Sequence, residues 1–300
     1  MAIADQPTPF YFPLGPDFST GQAPPSPIRE DQYGHGAIDG RVFQFTADSD
    51  TTLQFKRELL ADHADHHVGR VRLSPEAHAC VCGFIAERLA AEYPDRFTRE
   101  ALAGQSFEQL AMQVPEDLAI VCAEQDADGQ ITKDWLAAAH ICIPSGWDPA
   151  AQLGESFARI HRAVQVSEAK RFLIKDGHRA DYVGQMLRCR PPHVRFIWTL
   201  QVGDALNRNP RTRRPPKALV IDGESGEPNV WFRVERQTLS AFPEVGAVLF
   251  TIRTYLYPLA EIMVDERRRA ALKQAVTDMP ERVLAYKGWG EPLVAYLKKI

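Results

Sequence analysis

Between residues 117 and 257 the apolar residues come in short runs separated by turn residues, and this pattern predicts β-strands. Only one helical pattern interrupts these strands, so they favour an antiparallel sheet over a repeated strand–helix–strand unit. RVFQF at 41–45 is a further possible strand. The five main predicted strands are DLAIVCAE at 117–124, AAAHICIP at 137–144, HVRFIWTLQV at 193–202, VWFRVERQTL at 230–239 and GAVLFTIRTYLY at 246–257.

Helical signals flank and interrupt the strands. In SPEAHACVCGFIAERLAAEYP, Ser74 is a good N-cap, Pro75 suits the first helical position and Pro94 ends the helix. Asp148 and Pro149 repeat the first two signals, and they predict a single helix through DPAAQLGESFARIH, residues 148–161. Two further helices are predicted in EIMVDERRRAALKQAVTDMP and EPLVAYLKKI, near the end of the chain.

The first 40 residues hold seven of the 22 prolines, which excludes regular helix or sheet there. This stretch also carries Phe10, Tyr11, Phe12 and Phe18, apolar rings that favour packing on the body of the protein. We therefore expect an extended N-terminal arm over residues 1–40 and a single α+β domain over residues 41–300.

The composition is that of an ordinary globular protein, with 300 residues, 45% hydrophobic and 25% charged, and a net charge of −4. This balance argues against a surface built for nucleic acid or anionic lipid. No apolar run approaches the roughly 20 residues that cross a bilayer, and MAIADQPTPF lacks the features of a signal peptide. We expect a cytoplasmic protein without membrane or nucleic-acid partners, and its five scattered cysteines fit reduced thiols.

Two segments imitate metal sites. HADHH places His63 and His67 at the i, i+4 spacing of a helical metal pair, but no third ligand is near, so an exposed helix end or loop is favoured. EQDADGQITKDW imitates a calcium loop, yet Trp135 occupies the position that needs a bidentate glutamate. A hairpin turn through Asp128 and Gly129 is favoured there.

A basic segment, RNPRTRRPPK, lies between two predicted strands. A solvated loop is the favoured interpretation, and docking of an acidic partner or a phosphate is the alternative. Fingerprints for dinucleotide or P-loop binding are absent from the sequence, so any nicotinamide or flavin chemistry must be carried by another chain. The five cations of the segment are Arg208, Arg211, Arg213, Arg214 and Lys217.

His161 ends an apolar stripe. At helical spacing Leu153, Phe157 and His161 share one side, with Ile160 beside them. One interpretation is a core histidine bonded to a carbonyl group. The other is an axial ligand, because a neutral imidazole facing an apolar cavity suits haem iron. Periodicity alone leaves both open.

The strand VWFRVERQTL divides its charges between two faces. Phe232 and Arg236 share one face, and Trp231, Arg233 and Glu235 share the other, so one face must bury a charge. One interpretation is a buried ion-pair network that joins Glu235 to Arg253 or Arg195. A functional role for the same residues is the alternative.

Two blocks, CIPSGWDPAAQLGESFARIH at 142–161 and RVERQTLSAFPEVGAVLFTIRTYLYPL at 233–259, resemble the haem-dependent oxidative N-demethylase family, and a weaker similarity covers residues 40–290. The resemblance implies a PAS-like antiparallel sheet with flanking helices that holds haem b. It also implies oxidation of a small secondary amine by O2, with formaldehyde as a product. Electrons would come from NADPH through flavin and iron–sulfur partner chains.

The resemblance also implies roles for single residues. His161 matches the histidine of the family's I-H motif and becomes the axial ligand of the haem iron. The chain differs from the family pattern in IHRAVQV, which lacks two prolines after the histidine, and in RFIW at 195–198, where the family reads R-x-N-W. The other roles are catalysis for Glu235 and Arg236, haem binding for Arg233, Arg253 and Arg195, and substrate binding for Trp198, Trp231 and Tyr255.

Two other functions remain open at this point. The chain could be a haem-binding sensor or carrier that keeps the fold without the reaction. It could also be a cofactor-free ligand-binding protein in which His161 is a core residue.

Overall fold

A computed structural model describes residues 6–14, 25–161, 182–221 and 228–300. These residues form one seven-stranded sheet in the order β1-β5-β6-β7-β3-β4-β2, and every described pairing is antiparallel. The predicted α+β class with an antiparallel sheet is confirmed. The strands are β1 (Ser26–Pro27), β2 (Val68–Arg70), β3 (Asp117–Gln125), β4 (Ile131–His140), β5 (His193–Val202), β6 (Val230–Phe242) and β7 (Ala247–Pro258).

The predicted strand bounds agree best with the observed ones where the apolar pattern of the sequence is continuous. β5 has the predicted bounds, and β6 and β7 differ only at their ends. β4 begins at Ile131, six residues before the predicted start, because the polar residues after the turn pair with the end of β3. The turn is the predicted hairpin, with Gly129 at φ +76°.

RVFQF at 41–45 is irregular, so the prediction of a strand there is wrong. Residues 42–45 are completely buried, but side chains rather than a neighbouring strand accept their N–H groups. Both carboxylate oxygens of Glu92 accept N–H bonds, from residues 42 and 43, and Glu116 accepts the N–H of Gln44 at 2.7 Å. Side-chain acceptors thus replace the strand ladder.

Three of the described helices have 12 residues or more, and the others are shorter. Ser74 caps α2 as predicted, accepting the N–H of Ala77 at 3.1 Å. The helix before HADHH was not predicted, and the C-terminal pattern at 261–280 is divided between two helices. The helices are α1 (Ser49–His63), α2 (Pro75–Glu92), α3 (Arg99–Leu102), α4 (Phe107–Ala111), α5 (Phe157–Ile160), α6 (Tyr182–Leu187), α7 (Leu259–Met263), α8 (Glu266–Thr277), α9 (Glu281–Lys287) and α10 (Glu291–Lys299). None of the described helices is long and apolar enough to span a bilayer.

The single helix predicted over 148–161 is wrong. A 3₁₀ turn at Ala150–Gln152 is followed by Gly154 at φ +83°, and α5 then begins after its own N-cap, Ser156. Residues 154 and 155 exchange two backbone hydrogen bonds with Leu136 of β4, each 2.9 Å. Pairing with β4 therefore interrupts the helix in its middle.

The sheet has two differently covered faces. On the first, the arm face, the described arm, α2 and the C-terminal helices pack on the sheet. Tyr11 of the arm is buried there and donates its hydroxyl to Asp39 at 2.8 Å. On the second, the α5 face, α5 and α6 pack against residues of β3, β4, β6 and β7. Since side chains alternate along a strand, each strand residue belongs to one face only.

Candidate functional site

His161 lies directly after α5, where its ring packs on Phe157 at a centroid distance of 4.1 Å. Its Nδ1 is 2.8 Å from the Phe157 carbonyl oxygen. Because a carbonyl only accepts, Nδ1 carries a hydrogen, and in the neutral imidazole the lone pair is then on Nε2. Ligating histidines commonly bond a carbonyl in this way, and so do core histidines. Leu153 lies outside the helix, so the predicted stripe is reduced to Phe157 and His161.

The sheet positions the short helix that carries His161. Phe157 donates its N–H to the carboxylate of Asp134 on β4, and Ser156 Oγ accepts the N–H of Arg159 at 3.2 Å. Phe157 and Ile160 pack in the apolar cluster of the α5 face. His161 is therefore fixed relative to β4 by backbone and side-chain bonds.

Glu235 is the centre of a polar row on the α5 face of β5 and β6. Its Oε1 accepts from Arg233 Nε at 3.1 Å, and its Oε2 accepts from Gln237 Nε2 at 3.0 Å. Arg195 Nε donates to Gln237 Oε1 at 2.8 Å. Burial lowers the pKa of Arg195 to about 10, and the negative charge of Glu235 opposes that shift.

The ion pair of Glu235 differs from the prediction in its partner. The partner is Arg233, two residues away on the same face, and Arg195 reaches Glu235 only through Gln237. Arg253 belongs to the arm face, where it pairs with Asp48 at 2.8 Å. The sequence did not point to Gln237, although its spacing from Glu235 places it on the same face.

Arg233 also fixes two loops beside the site. Its side chain is fully buried, and Nη2 donates to the carbonyl of Ile143 at 2.6 Å and to Thr254 Oγ1 at 3.2 Å. Nη1 donates to the carbonyl of Leu206 at 3.3 Å. One guanidinium thus joins the strand, Glu235 and the segments that follow β4 and β5.

Half-buried apolar side chains surround Glu235, and we call this surface the Glu235 patch. Ile197 lies opposite Glu235 on β5 and is 37% exposed. Ile252 and Leu256 of β7 lie opposite Gln237 and Arg233, on the other side. Trp231 is half-buried at the end of the same row. A carboxylate on a half-buried apolar surface attracts a cation more strongly than one in bulk water, and the apolar side chains around it can contact a flat apolar ring.

Four of the predicted site residues lie on the arm face instead. Arg236 is fully buried and donates to the carbonyls of Asp39, Arg41 and Val42 at 2.7 to 3.3 Å. Arg253 bonds Asp48, Thr46 and Thr52, and Tyr255 donates to Gln44 Oε1 at 2.6 Å. These contacts fix segments before β2 to the sheet.

Trp198 is the fourth predicted site residue that lies on the arm face. Its ring contacts a cation of the chain itself. Its ring stacks on Phe232 at a centroid distance of 5.5 Å. The ammonium of Lys287, from α9, lies 4.6 Å from the ring centroid and donates to the Trp198 carbonyl at 2.8 Å. Burial lowers the pKa of Lys287 to about 8. The ring of Trp198, expected from the resemblance to bind substrate, thus contacts an ammonium of the chain itself.

Of the histidines in HADHH, His67 has a structural role. His63 is the last residue of α1. His67 is completely buried, contrary to the expected exposed loop, with Nδ1 2.7 Å from the Ile141 carbonyl and Nε2 2.8 Å from Thr212 Oγ1. Burial lowers its pKa. The described residues contain no group of three side chains placed to bind a metal ion.

The α5 face therefore carries Glu235, Arg233, Arg195 and Trp231, and the short helix before His161 packs on it, whereas Arg236, Arg253, Tyr255 and Trp198 face the arm. In a comparison with protein families, residues 42–293 match a family described as haem-dependent oxidative N-demethylase, alpha subunit-like. This range contains both sequence blocks of the resemblance and all of these residues. The chain belongs to the haem-dependent oxidative N-demethylase alpha-subunit-like family.

Proposed function

We propose that this protein is a haem-dependent monooxygenase that demethylates a small secondary amine. The supporting observation is a carboxylate, Glu235, within a half-buried apolar patch on the sheet face that also carries His161. The family description supports haem dependence and oxidative N-demethylation. Haem b, the amine and formaldehyde as product are parts of the proposal.

The residues of the α5 face fit a haem. His161 in its neutral form would bind iron through Nε2, since its Nδ1 hydrogen is directed to the Phe157 carbonyl. Ile252 and Leu256 offer apolar contact for the macrocycle. Among the described residues, the Arg195 guanidinium donates a hydrogen bond through Nε, to Gln237. Its two Nη groups would bind a propionate.

When bound, the haem would supply the O2 chemistry that oxidises the N-methyl group to a carbinolamine. With two electrons and two protons the balance is R–NH–CH3 plus O2 to R–NH–CH2OH plus water, and the carbinolamine then releases formaldehyde and the primary amine. The amine must reach the site and lose its ammonium proton before reaction. Glu235 attracts the ammonium and accepts this proton, and the face of Trp231 contacts the cation.

The experiment that tests the ligand compares His161→Ala with His193→Ala after reconstitution with haem. His193 is a matched control because it is a half-buried histidine on the same face, at the start of β5. We expect only His161→Ala to alter the Soret band and to lower haem retention. An unchanged spectrum and full retention in His161→Ala would refute the assignment, and loss in His193→Ala alone would move the ligand to His193.

A second candidate function is a haem-binding sensor or carrier without catalysis. It is favoured by one observation, that both carboxylate oxygens of Glu235 already accept hydrogen bonds from the chain, from Arg233 and Gln237. Formaldehyde release decides between the two functions. The haem-loaded protein, a secondary N-methylamine and a chemical electron supply should give formaldehyde if the first function holds and none if the second holds.

The proposal includes a partner chain. The family description names an alpha subunit, which supports a separate subunit, and the sequence contains no dinucleotide fingerprint. We assign the flavin and iron–sulfur chemistry to that partner.

A further inference from the structure

A loop with three exposed arginines lies beside the α5 face, and its backbone is fixed by two asparagines. We call residues 207–214 the arginine loop. Asn207 Oδ1 accepts the N–H of Asn209 at 2.8 Å, and Asn209 Oδ1 accepts the N–H of Arg211 at 2.9 Å. Asn207 Nδ2 donates to Thr212 Oγ1 at 2.9 Å. Both asparagines are buried, so the loop has a defined shape that a merely solvated loop does not need.

The body of the protein holds this loop in place. Thr212 Oγ1 bonds the buried ring of His67 at 2.8 Å. Arg208 donates its N–H to the carbonyl of Pro144 at 3.2 Å. The loop is thus fixed to the residue before β2 through one contact and to the segment after β4 through the other.

The side chain of Arg233 connects the loop to the Glu235 patch. Arg233, the ion-pair partner of Glu235, donates to the carbonyl of Leu206 directly before the loop and to that of Ile143. The positive charges of Arg233 and Arg213 also lower the pKa of Arg208, after the larger effect of burial. The arginine loop therefore borders the face on which we place the haem.

Within the described residues the charge of the loop is only partly compensated, and the negative charge of Asp204 interacts with Arg214. Arg211, Arg213 and Arg214 are exposed, and the carboxylate nearest to Arg211 is that of Asp148, at 3.9 Å. Within the described part of the chain, no carboxylate lies within 4.0 Å of the guanidinium groups of Arg213 and Arg214. In a chain with a net charge of −4, this is a local positive surface.

The geometry favours a protein surface over a small anion as the binding partner. Loops that bind phosphate direct backbone N–H groups at it. Here the N–H of Arg211 is bonded to Asn209 Oδ1, and the N–H groups of Thr212 and Arg213 are bonded to the Asn209 carbonyl at 3.2 and 2.8 Å. Only the spread, exposed guanidinium groups remain, and these fit separate carboxylates on a partner.

We propose that the arginine loop is the docking surface for an acidic electron-transfer protein that supplies electrons to this chain. The inference rests on the proposed function, because that function requires electrons from another protein. Docking at this border would place the donor beside the Glu235 patch. Charge complementarity of this kind raises association rates and is screened by salt.

The test uses an oxidised plant-type [2Fe–2S] ferredoxin as an acidic probe and measures its dissociation constant by calorimetry at low and high ionic strength. The loop variant is Arg211→Glu, Arg213→Glu, Arg214→Glu. The matched control is Arg57→Glu, Arg99→Glu, Arg267→Glu, three exposed arginines on α1, α3 and α8. We expect saturable, salt-sensitive binding to wild type and control, and at least about tenfold weaker binding to the loop variant at low salt.

Each other outcome has a defined meaning. Absence of binding to wild type, or equal weakening in both variants, overturns the proposal. Saturable binding of pyrophosphate that only the loop variant loses would replace it with a small-anion site. If the triple variant melts early, Arg213→Gln with Arg214→Gln takes its place, since neither side chain has a described ion pair.

Failure of the proposed function gives a different result. The calorimetry uses the protein as purified, and it needs neither haem nor turnover. A protein that takes up no haem but binds the probe through the arginine loop refutes the proposed function and leaves the docking surface in place. A protein that binds haem but not the probe refutes only the docking surface.

Discussion

Glu235 combines a structural and a chemical role in one side chain. Its carboxylate neutralises Arg233, which is fully buried, and its own side chain is 14% exposed to solvent. A carboxylate that only completed a core ion pair would not need contact with solvent or with the half-buried apolar side chains around it. Its partial exposure is therefore the feature that supports a role toward an incoming amine.

Glu235→Gln should separate the two roles. The amide still accepts a hydrogen bond from Arg233 but loses the charge, so we expect the free energy of unfolding to fall by about 2 kcal/mol. With haem bound, we expect the spectral shift on addition of a small secondary amine to disappear. Chemical denaturation and amine titration measure the two effects.

The control for this substitution is Glu124→Gln, an exposed glutamate near the end of β3. It should change neither stability nor amine response. An intact amine response in Glu235→Gln would contradict the proposed role of Glu235 in attracting the amine. A loss of stability would not support that role, because the ion pair with Arg233 explains such a loss on its own.

The side chain of Glu116, on the arm face, leads to a prediction about how the stability of the fold depends on pH. It is fully buried, Oε1 accepts the Gln44 N–H, and Oε2 has no hydrogen-bond partner among the described residues. Burial raises the pKa of Glu116 to about 7. The folded protein therefore keeps a proton that the unfolded chain releases near its ordinary pKa of about 4.3. This contribution to stability is present at low pH and is lost as the pH rises through about 7.

Glu116→Gln removes that proton equilibrium. Relative to wild type, the variant should gain about 3 kcal/mol of stability between about pH 4 and pH 8. Unfolding in urea across this range measures the difference, with Glu124→Gln as a surface control that should stay parallel to wild type. A constant difference between Glu116→Gln and wild type would show that folding does not raise the pKa of Glu116.

The sequence predicted which face of the sheet each side chain of this strand would occupy, but not the groups that it would bond. The period of two along 230–239 correctly separated Glu235 from Arg236. It could not show that Arg236 bonds carbonyls near residue 40, since that contact joins segments almost 200 residues apart. An arginine in a strand carries the same local signal whether it binds a cofactor or a distant loop.

At the scale of elements, the segment before His161 shows how a strand overrides helical signals. Asp148 and Pro149 do begin a helical turn, but only a 3₁₀ turn, and Ser156 is a second N-cap inside the predicted helix. Gly154 at φ +83° makes the break, and it marks the point where the chain pairs with β4. Gly154 was visible in the sequence as a breaker, whereas its partner strand was not.

Gly154→Ala should disturb the placement of His161. A side chain at this positive φ costs about 1 to 2 kcal/mol, and its Cβ would lie 3.4 Å from Arg72 Nη2. We expect that stability loss together with weaker haem binding. Thermal melting and haem titration measure both.

Gly104→Ala is the matched control for this substitution. Gly104 has φ +76° and nothing within 4 Å of an added Cβ, and it follows α3 in the helical region outside the α5 face. It should lose similar stability and keep normal haem binding. Equal haem affinity in both variants would show that the segment at 154–161 does not position a haem ligand.

For the whole molecule, the fold class followed from the sequence because period-two runs and one intervening helical signal suffice to favour an antiparallel sheet. The strand order could not follow, since β3 and β7 are neighbours although more than 120 residues separate them in the chain. The helix α1 was missed because its residues are mostly polar, and its buried positions include Thr52 and Lys56. Lys56 is buried through three backbone carbonyls, a contact without a sequence signal.

The architecture also leads to a prediction about electron supply. Dinucleotide-binding domains place the pyrophosphate at a helix N-terminus after a strand of a parallel sheet. Every strand pairing described here is antiparallel, and the sequence lacks the glycine fingerprint of that turn. The pure, haem-loaded protein with NADPH and a secondary N-methylamine in air should therefore give no formaldehyde and no NADPH oxidation. Addition of a ferredoxin and its NADPH-dependent reductase should start both. Steady NADPH consumption by the protein alone would show that this chain holds a nicotinamide or flavin site outside the sheet, and the need for a partner would then be wrong.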